Sequence, residues 1–356
     1  MPELPEVEAL TRALRPWLEG RCLLSFEPRR GGLRRPFPAG AASLVVGRPI
    51  RRVWRRAKYL LFEFDGEPAR PGRSGRGAPP SVAAGGRFPH RGGRIQLVFH
   101  LGMTGHLRVC PAPEPLDRHD HLVCSLVGGF HLRFNDPRRF GQVFLHCTTA
   151  AAPEAPELAR LGPEPLDPAF TARVLRGRLA PRAGPVKTVL LDQAVVAGLG
   201  NIYATEALFV AGIHPVIPAS RLTAEQVARL HRAIRAVLRR ALAVGSTVPP
   251  EVPVPAADGV TSAADGVAPV IDGVTSAAEG PLPRAAYPAA APGEMTPADV
   301  REETTFFPFP FLVYGRDGQP CRRCRAGTIE RMVQAGRSTF FCPRCQPAPR
   351  QRGKSA

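Results

Sequence analysis

Two Cys-x-x-Cys pairs near the C-terminus, Cys321-Arg-Arg-Cys324 and Cys342-Pro-Arg-Cys345, constrain this chain more than any other feature. Two thiolate pairs separated by residues 325–341 can close one tetrahedral zinc site on a β-hairpin. The intervening runs Thr328–Val333 and Ser338–Phe341 have strand character, with Gln334-Ala-Gly-Arg337 at the turn. A redox dithiol would need no twin. The remaining cysteines (Cys22, Cys110, Cys124, Cys147) are scattered, so the pattern reads as a reducing cytoplasm with one structural zinc ion, not a disulfide framework. Such a site can merely hold a fold together. Here Arg337 at the turn, with Arg331, Arg344 and Arg350 around it, points to phosphate contact.

Charge agrees with that reading. Lys and Arg number 48 against 30 Asp and Glu, a formal net charge of +18, which concentrates polyanions such as DNA or RNA around the molecule. Abundant Ala, Arg, Gly and Pro also fit a GC-rich coding sequence, so composition alone does not separate the two causes. No apolar run is long enough to span a membrane, and the N-terminus lacks a secretory pattern.

Hydropathy divides the chain into parts. Pro5–Gly20 reads as a helix with Val7, Leu10, Leu14, Trp17 and Leu18 on one stripe, kinked or ended early by Pro16. Short apolar runs at Leu44–Val46, Tyr59–Phe64, Ile95–Phe99, Leu122–Leu126, Phe130–Phe134 and Val143–His146 predict an antiparallel β-sandwich or barrel. Helical patterns follow at Thr171–Leu179, Val186–Leu191, Ile202–Val210 and Thr223–Ala243, the last opened by a capping box. Residues 66–93 and 248–308 are low-complexity insertions, the second carrying a short repeat that begins at Asp258 and returns at Asp272. The expected layout is 1–150 for the sandwich, 156–247 for the helical part, 309–347 for the finger and 348–356 for a tail.

Several segments carry chemistry. Removal of Met1 would expose the secondary amine of Pro2, a nucleophile able to condense with an aldehyde carbon as an iminium. The turn Gly198-Leu-Gly200 before Asn201 presents amide N–H groups at a helix start, suited to one phosphate; a dinucleotide site is excluded because no strand precedes it. Trp54-Arg-Arg-Ala-Lys58-Tyr sets cations at the start of a strand. Asn135-Asp-Pro-Arg138-Arg139-Phe140-Gly141 offers arginines beside an aromatic wedge, and Met103 could be a second apolar plug. Plain core packing is the competing explanation for Met103 and Phe140. His119-Asp120-His121 lacks a third metal ligand and reads as a hydrogen-bonded cluster.

In order, the blocks PELPEVE, RRAKYLLFEF, HLGMTGHLR, DPRRFG, LGPEPL, GLGNIYATEALF, AGIHP and the four-cysteine finger resemble the bacterial formamidopyrimidine-DNA glycosylases over nearly the whole chain outside the two insertions. The resemblance implies an α+β fold of two domains. An N-terminal β-sandwich flanked by helices precedes a helix-two-turn-helix domain with a zinc-finger hairpin. It implies excision of oxidised purines from double-stranded DNA and cleavage at abasic sites, by a bacterial, nucleoid-associated cytoplasmic protein; a monomer is the default expectation. Pro2 is then the nucleophile, Glu3 the general acid and base, and Lys58 and Arg337 contact phosphate beside the reacting sugar. Glu6 supports that centre. Met103, Arg138 and Phe140 fill the vacated stack, while His119, Arg139, Lys187, Asn201 and Tyr203 join the DNA-binding set. Cys321, Cys324, Cys342 and Cys345 hold zinc.

One departure is plain. After Gly245-Ser-Thr247, where the family has a short loop over the extruded base, this chain enters its long insertion. Lesion preference is therefore open between oxidised purines and the oxidised pyrimidines taken by endonuclease VIII-like relatives. A non-catalytic DNA-binding zinc protein is the rival of a different class.

Overall fold

A computed structural model describes residues 2–29, 32–64, 93–244 and 310–349. The 248–308 insertion, and the 66–93 insertion apart from Gly93, lie outside the described residues.

Helix α1 (Leu4–Leu18) opens with a proline in its first turn and buries Leu4, Val7, Leu10, Leu14, Trp17 and Leu18. Pro16 does not end it. At that position the helix loses one N–H bond, but the Arg15 carbonyl still accepts from Glu19 N–H at 3.0 Å, and burial of Trp17 and Leu18 offsets the loss. The stripe packs on a sandwich of two antiparallel four-stranded sheets. One runs β1 (Glu27–Pro28), β6 (Asp120–Leu126), β7 (Phe130–Asn135), β5 (His106–Pro111). The other runs β2 (Ile50–Arg56), β3 (Tyr59–Phe64), β4 (Ile95–His100), β8 (Gln142–Cys147). Phe62, Phe99 and Phe134 stack between the layers, with ring centroids 5.0 and 6.0 Å apart.

The run expected as a strand at Leu44–Val46 instead falls in and just after helix α2 (Ala41–Val45). Ala41 and Val45, four residues apart, both face the core, which is the helical period. Strand β2 escaped the sequence reading because five of its seven residues are arginine or tryptophan and a bulge between Ile50 and Arg52 breaks its alternation.

Short helix α3 (Pro156–Ala159) leads to α4 (Ala172–Leu179), α5 (Val186–Leu190), α6 (Asn201–Ala211) and α7 (Ala224–Ala243). The capping box of α7 is formed: Thr223 Oγ1 accepts from Gln226 N–H at 3.2 Å, and Gln226 Oε1 accepts from Thr223 N–H at 2.8 Å. Helix α6 is buried nearly all round and forms the axis of the helical core. Leu4 belongs to that core, whereas Val7 onward belongs to the sandwich. One helix is thus shared between both halves.

The finger is a hairpin of β9 (Glu330–Gln334) and β10 (Arg337–Phe341). Its turn is two residues, Ala335 and Gly336, with φ of 48° and 72°, so Gln334 and Arg337 end the strands. Leu312, Val313, Ile329 and Phe340 pack on Phe209 of α6. Beside them the fully buried Glu206 carboxylate accepts N–H bonds from Leu312, Val313 and Tyr314 at 2.9, 2.9 and 2.8 Å. Burial raises its pKa and the three amides oppose that rise.

Glu206→Ala strands three amides without an acceptor, each costing on the order of 1–3 kcal/mol. It should speed zinc loss to a chelator while leaving the sandwich folded. Both tryptophans, Trp17 and Trp54, lie in the sandwich half, so their fluorescence reports that half alone. Unchanged zinc release in this variant would contradict the anchoring role.

Candidate active site

The site forms where α1, α6 and the finger meet. Half-buried Pro2 directly precedes Glu3, the N-cap of α1, whose side chain is 0% exposed. Glu3 Oε1 accepts from Ile202 N–H at 2.9 Å and Oε2 from Tyr203 N–H at 3.4 Å. The anion expected at the start of α6 is therefore a carboxylate of the same chain. That corrects the phosphate reading of the Gly198–Gly200 turn. The glycines serve this contact: a Cβ on Gly200 would lie 2.2–2.6 Å from the Glu3 carboxylate atoms, and one on Gly198 would meet the Leu4 side chain at 2.7 Å. Leu4 N–H completes the seam by donating to Gly198 O at 3.1 Å.

Behind Glu3 sits a second acid. Glu6 Oε2 accepts from Glu3 N–H at 2.7 Å, and its Oε1 accepts from the Tyr203 hydroxyl at 2.6 Å. Burial pushes Glu6 up to about 7; the Tyr203 hydrogen bond opposes this and the Glu3 charge adds to it. Burial likewise raises the Tyr203 phenol, with Glu6 next to it. Glu6 was expected to support the centre and Tyr203 to join the DNA-binding set. Both are sealed inside, because their polar groups satisfy each other at the junction of α1 and α6.

Cations ring the acids. Lys58 lies in the turn directly ahead of β3, as expected, whereas Trp54, Arg55 and Arg56 end β2 instead of opening that strand. Burial lowers its pKa, while Glu3 and Glu6 oppose that effect and Arg337 adds to it. Lys187 is fully buried and pushed down to about 8 by burial and by Arg337, with Glu3 opposing. Its Nζ reaches Ser338 O at 3.4 Å, and Asn201 Nδ2 donates to the same carbonyl at 3.0 Å. In this structure these two residues grip the finger beside exposed Arg337.

The wedge residues stand clear of the core. Met103 is 40% and Phe140 42% exposed, which removes the packing explanation, and the Arg138 guanidinium lies 4.8 Å over the Phe140 ring. Arg139 behaves differently: its φ is 57°, and its Nε donates to Gly32 O at 3.1 Å, so it braces the loop. His119 is half-buried and accepts from Arg118 Nε at 2.9 Å; among the described residues it joins no group that could hold a metal.

The four finger cysteines fit zinc. Their Sγ atoms lie within 4.8 Å of one another, and the pairs Cys321–Cys345 and Cys324–Cys342 are both 3.8 Å apart. That is the edge expected of a tetrahedron with Zn–S bonds of about 2.3 Å.

Sequence reasoning missed Glu164. Its carboxylate accepts from Arg55 Nη1 at 2.9 Å, from Arg56 Nη1 at 3.1 Å and from Ala57 N–H. It thereby holds Ala57 at φ 53° and aims the next residue, Lys58. The tightly packed arginines called for an acid, but its distance of more than 100 residues along the chain concealed it.

Glu6 gives a pH signature. Native Glu6 keeps its proton up to about pH 7, whereas the unfolded carboxyl releases it near 4.5. Native chains then bind more protons in that window, so this group lowers stability as pH rises through it. Glu6→Gln should gain stability relative to the parent between about pH 5 and pH 8, by on the order of 1–3 kcal/mol in urea unfolding. Parallel stability curves would contradict this.

Comparison with known proteins agrees with the geometry. The formamidopyrimidine-DNA glycosylase N-terminal domain matches residues 1–143, the H2TH domain of the same proteins 161–249, and the zinc finger found in FPG and IleRS 318–348. The formamidopyrimidine-DNA glycosylase of Paracoccus denitrificans is 38% identical, covering 97% of this chain and all of the relative. The MutM (FPG) crystal structure from Thermus thermophilus superposes with a TM-score of 0.64 at 35% identity, covering 97% of this chain and 98% of that one. A Lactococcus lactis FPG mutant bound to Fapy-dG-containing DNA gives 0.67 at 27% identity, covering 98% and 100%. With its sandwich, its helical half and its finger all matched, the chain belongs to the formamidopyrimidine-DNA glycosylase family.

Proposed function

We propose that this protein is a DNA glycosylase of base excision repair that removes oxidised purines from duplex DNA and then cleaves the strand at the resulting abasic site. The observation that carries the reading is the Glu3 carboxylate, next to Pro2, pinned on the start of α6 among Lys58, Lys187 and Arg337. A terminal amine beside a fixed acid and a cationic wall suits attack on a sugar flanked by phosphates.

With Met1 removed, the Pro2 nitrogen attacks C1′ as the bond from C1′ to the base breaks. The attacking nitrogen's proton passes to the Glu3 carboxylate, and the departing base takes its proton from solvent. Glu3 then hands the proton it took to the ring oxygen, the ring opens, and the nitrogen lone pair completes an iminium. That cation acidifies the C2′ hydrogen, so loss of this proton expels the 3′ phosphate, and a second elimination expels the 5′ phosphate. Lys58 and Arg337 bind the flanking phosphates. Lys187 and Asn201 hold the hairpin that carries Arg337. Met103, Arg138 and Phe140 occupy the gap left by the extruded base. The zinc site keeps the hairpin folded.

The working unit is one chain: residues 1–150, 156–247 and 309–347 supply every group named. Among the described residues, no helix is long and apolar enough to cross a membrane. The relative crystallised on Fapy-dG DNA supports a damaged-purine substrate. Cytoplasmic work on the chromosome follows from that substrate.

Borohydride should trap a covalent adduct on duplexes carrying 8-oxoguanine, and Pro2→Gly should abolish it; undiminished trapping would place the nucleophile elsewhere. Faster excision of thymine glycol than of 8-oxoguanine would reverse the purine assignment. Gly200→Ala pushes a methyl group into the Glu3 carboxylate. It should slow excision by ~100-fold with DNA affinity nearly unchanged. Full activity would mean that the Glu3 position is not critical.

A further inference from the structure

Met103 and Phe140 sit on loops about 40 residues apart in sequence, yet the sandwich brings them together. Strand β4 pairs with β8 in one sheet, and β5 pairs with β7 in the other. The β4–β5 and β7–β8 connections therefore both cross between sheets, side by side. His100 opposite Gln142 and His106 opposite Asn135 fix where the two crossings start and end.

Their contact is closer than side chains would allow. A Cβ on Gly102 would lie 2.5 Å from the carbonyl carbon of Phe140, and one on Gly141 would lie 3.1 Å from the His100 carbonyl oxygen. At the seam is Asp136, 0% exposed. Its Oδ1 accepts from the Thr104 hydroxyl at 2.6 Å and its Oδ2 from Gly141 N–H at 2.7 Å. The same Thr104 oxygen accepts from Arg138 N–H at 3.3 Å. His121 Nε2 lies 2.9 Å from the Asp136 carbonyl and ties the backbone at that position to β6. One hydroxyl, adjacent in sequence to Met103, is thus bonded both to the acid beneath the wedge loop and to the backbone of the arginine that stacks on Phe140.

We infer that Thr104 is a positioning residue that couples the Met103 plug to the Arg138–Phe140 wedge, so that both enter the DNA stack as one body. The inference rests on the proposed stack-filling role of those residues. Without the bond, each loop would still be present, but plug and wedge would respond to DNA separately.

The test is a double-mutant cycle between Met103→Ala and Phe140→Ala, read as the rate at which a 2-aminopurine beside the lesion brightens when the stack opens. In the parent, the second truncation should add little to the first, because either one disables the shared body. In a Thr104→Val background the two effects should become additive, with the double variant slower by about another tenfold. Thr104→Ser keeps the hydroxyl and should behave as the parent. If Thr104→Val fails to fold, Thr104→Ala removes the same bond with less crowding. Additivity already in the parent, or its absence in both the Val and Ala backgrounds, would overturn the coupling. If neither truncation slows stack opening, the stack-filling reading itself fails, which is a separate result.

Discussion

The arrangement depends on one carboxylate at the start of one helix. Glu3 takes the first free amides of α6, and the missing side chain of Gly200 makes the room. An anion suits that position because the unpaired N–H groups and the helix dipole both favour negative charge. Here the anion also belongs to the segment that bears the proposed nucleophile. Sandwich and helical half are fastened at the same point where a sugar would react, so misplacing either one displaces the chemistry.

Charge balance follows from that fastening. Two buried acids, Glu3 and Glu6, would repel each other if nothing offset them. The Tyr203 hydroxyl and a backbone amide hold Glu6, and Lys58, Lys187 and Arg337 supply positive charge around both. Those cations in turn crowd one another, which helps keep the lysine amines below their ordinary range. A phosphate arriving between them would relieve that crowding. The finger contributes by position: Glu206 ties its entry to α6, and its tight Ala335-Gly336 turn places Arg337 at the tip of the hairpin.

Much of this was legible in the residues and some was not, for identifiable reasons. Strand Tyr59–Phe64 matches to the residue because its apolar run is bounded by a turn and by the start of an insertion. The capping box at Thr223 is a local device and reads locally. The cysteine spacing carries its own geometry. Orientation does not: Lys187, Asn201 and Tyr203 have the expected identities, but the structure directs them at protein groups. The α6 start looked like a phosphate site because its amides are visible in the sequence pattern and their partner, almost 200 residues earlier, is not. Glu164 was hidden for the same reason. Helix α2 reads as a strand in the sequence because three apolar residues cannot distinguish the two periods.

Because α1 contributes Leu4 to one core and Val7 to the other, this helix cannot finish packing alone. Glu3 waits for Ile202, and that loop is among the costlier ones to close. A growing chain on the ribosome thus carries its first residues in an unassembled centre until α6 has emerged. On the proposed function, reactivity toward a sugar thus arrives late in synthesis and is withheld from any truncated product that ends before α6.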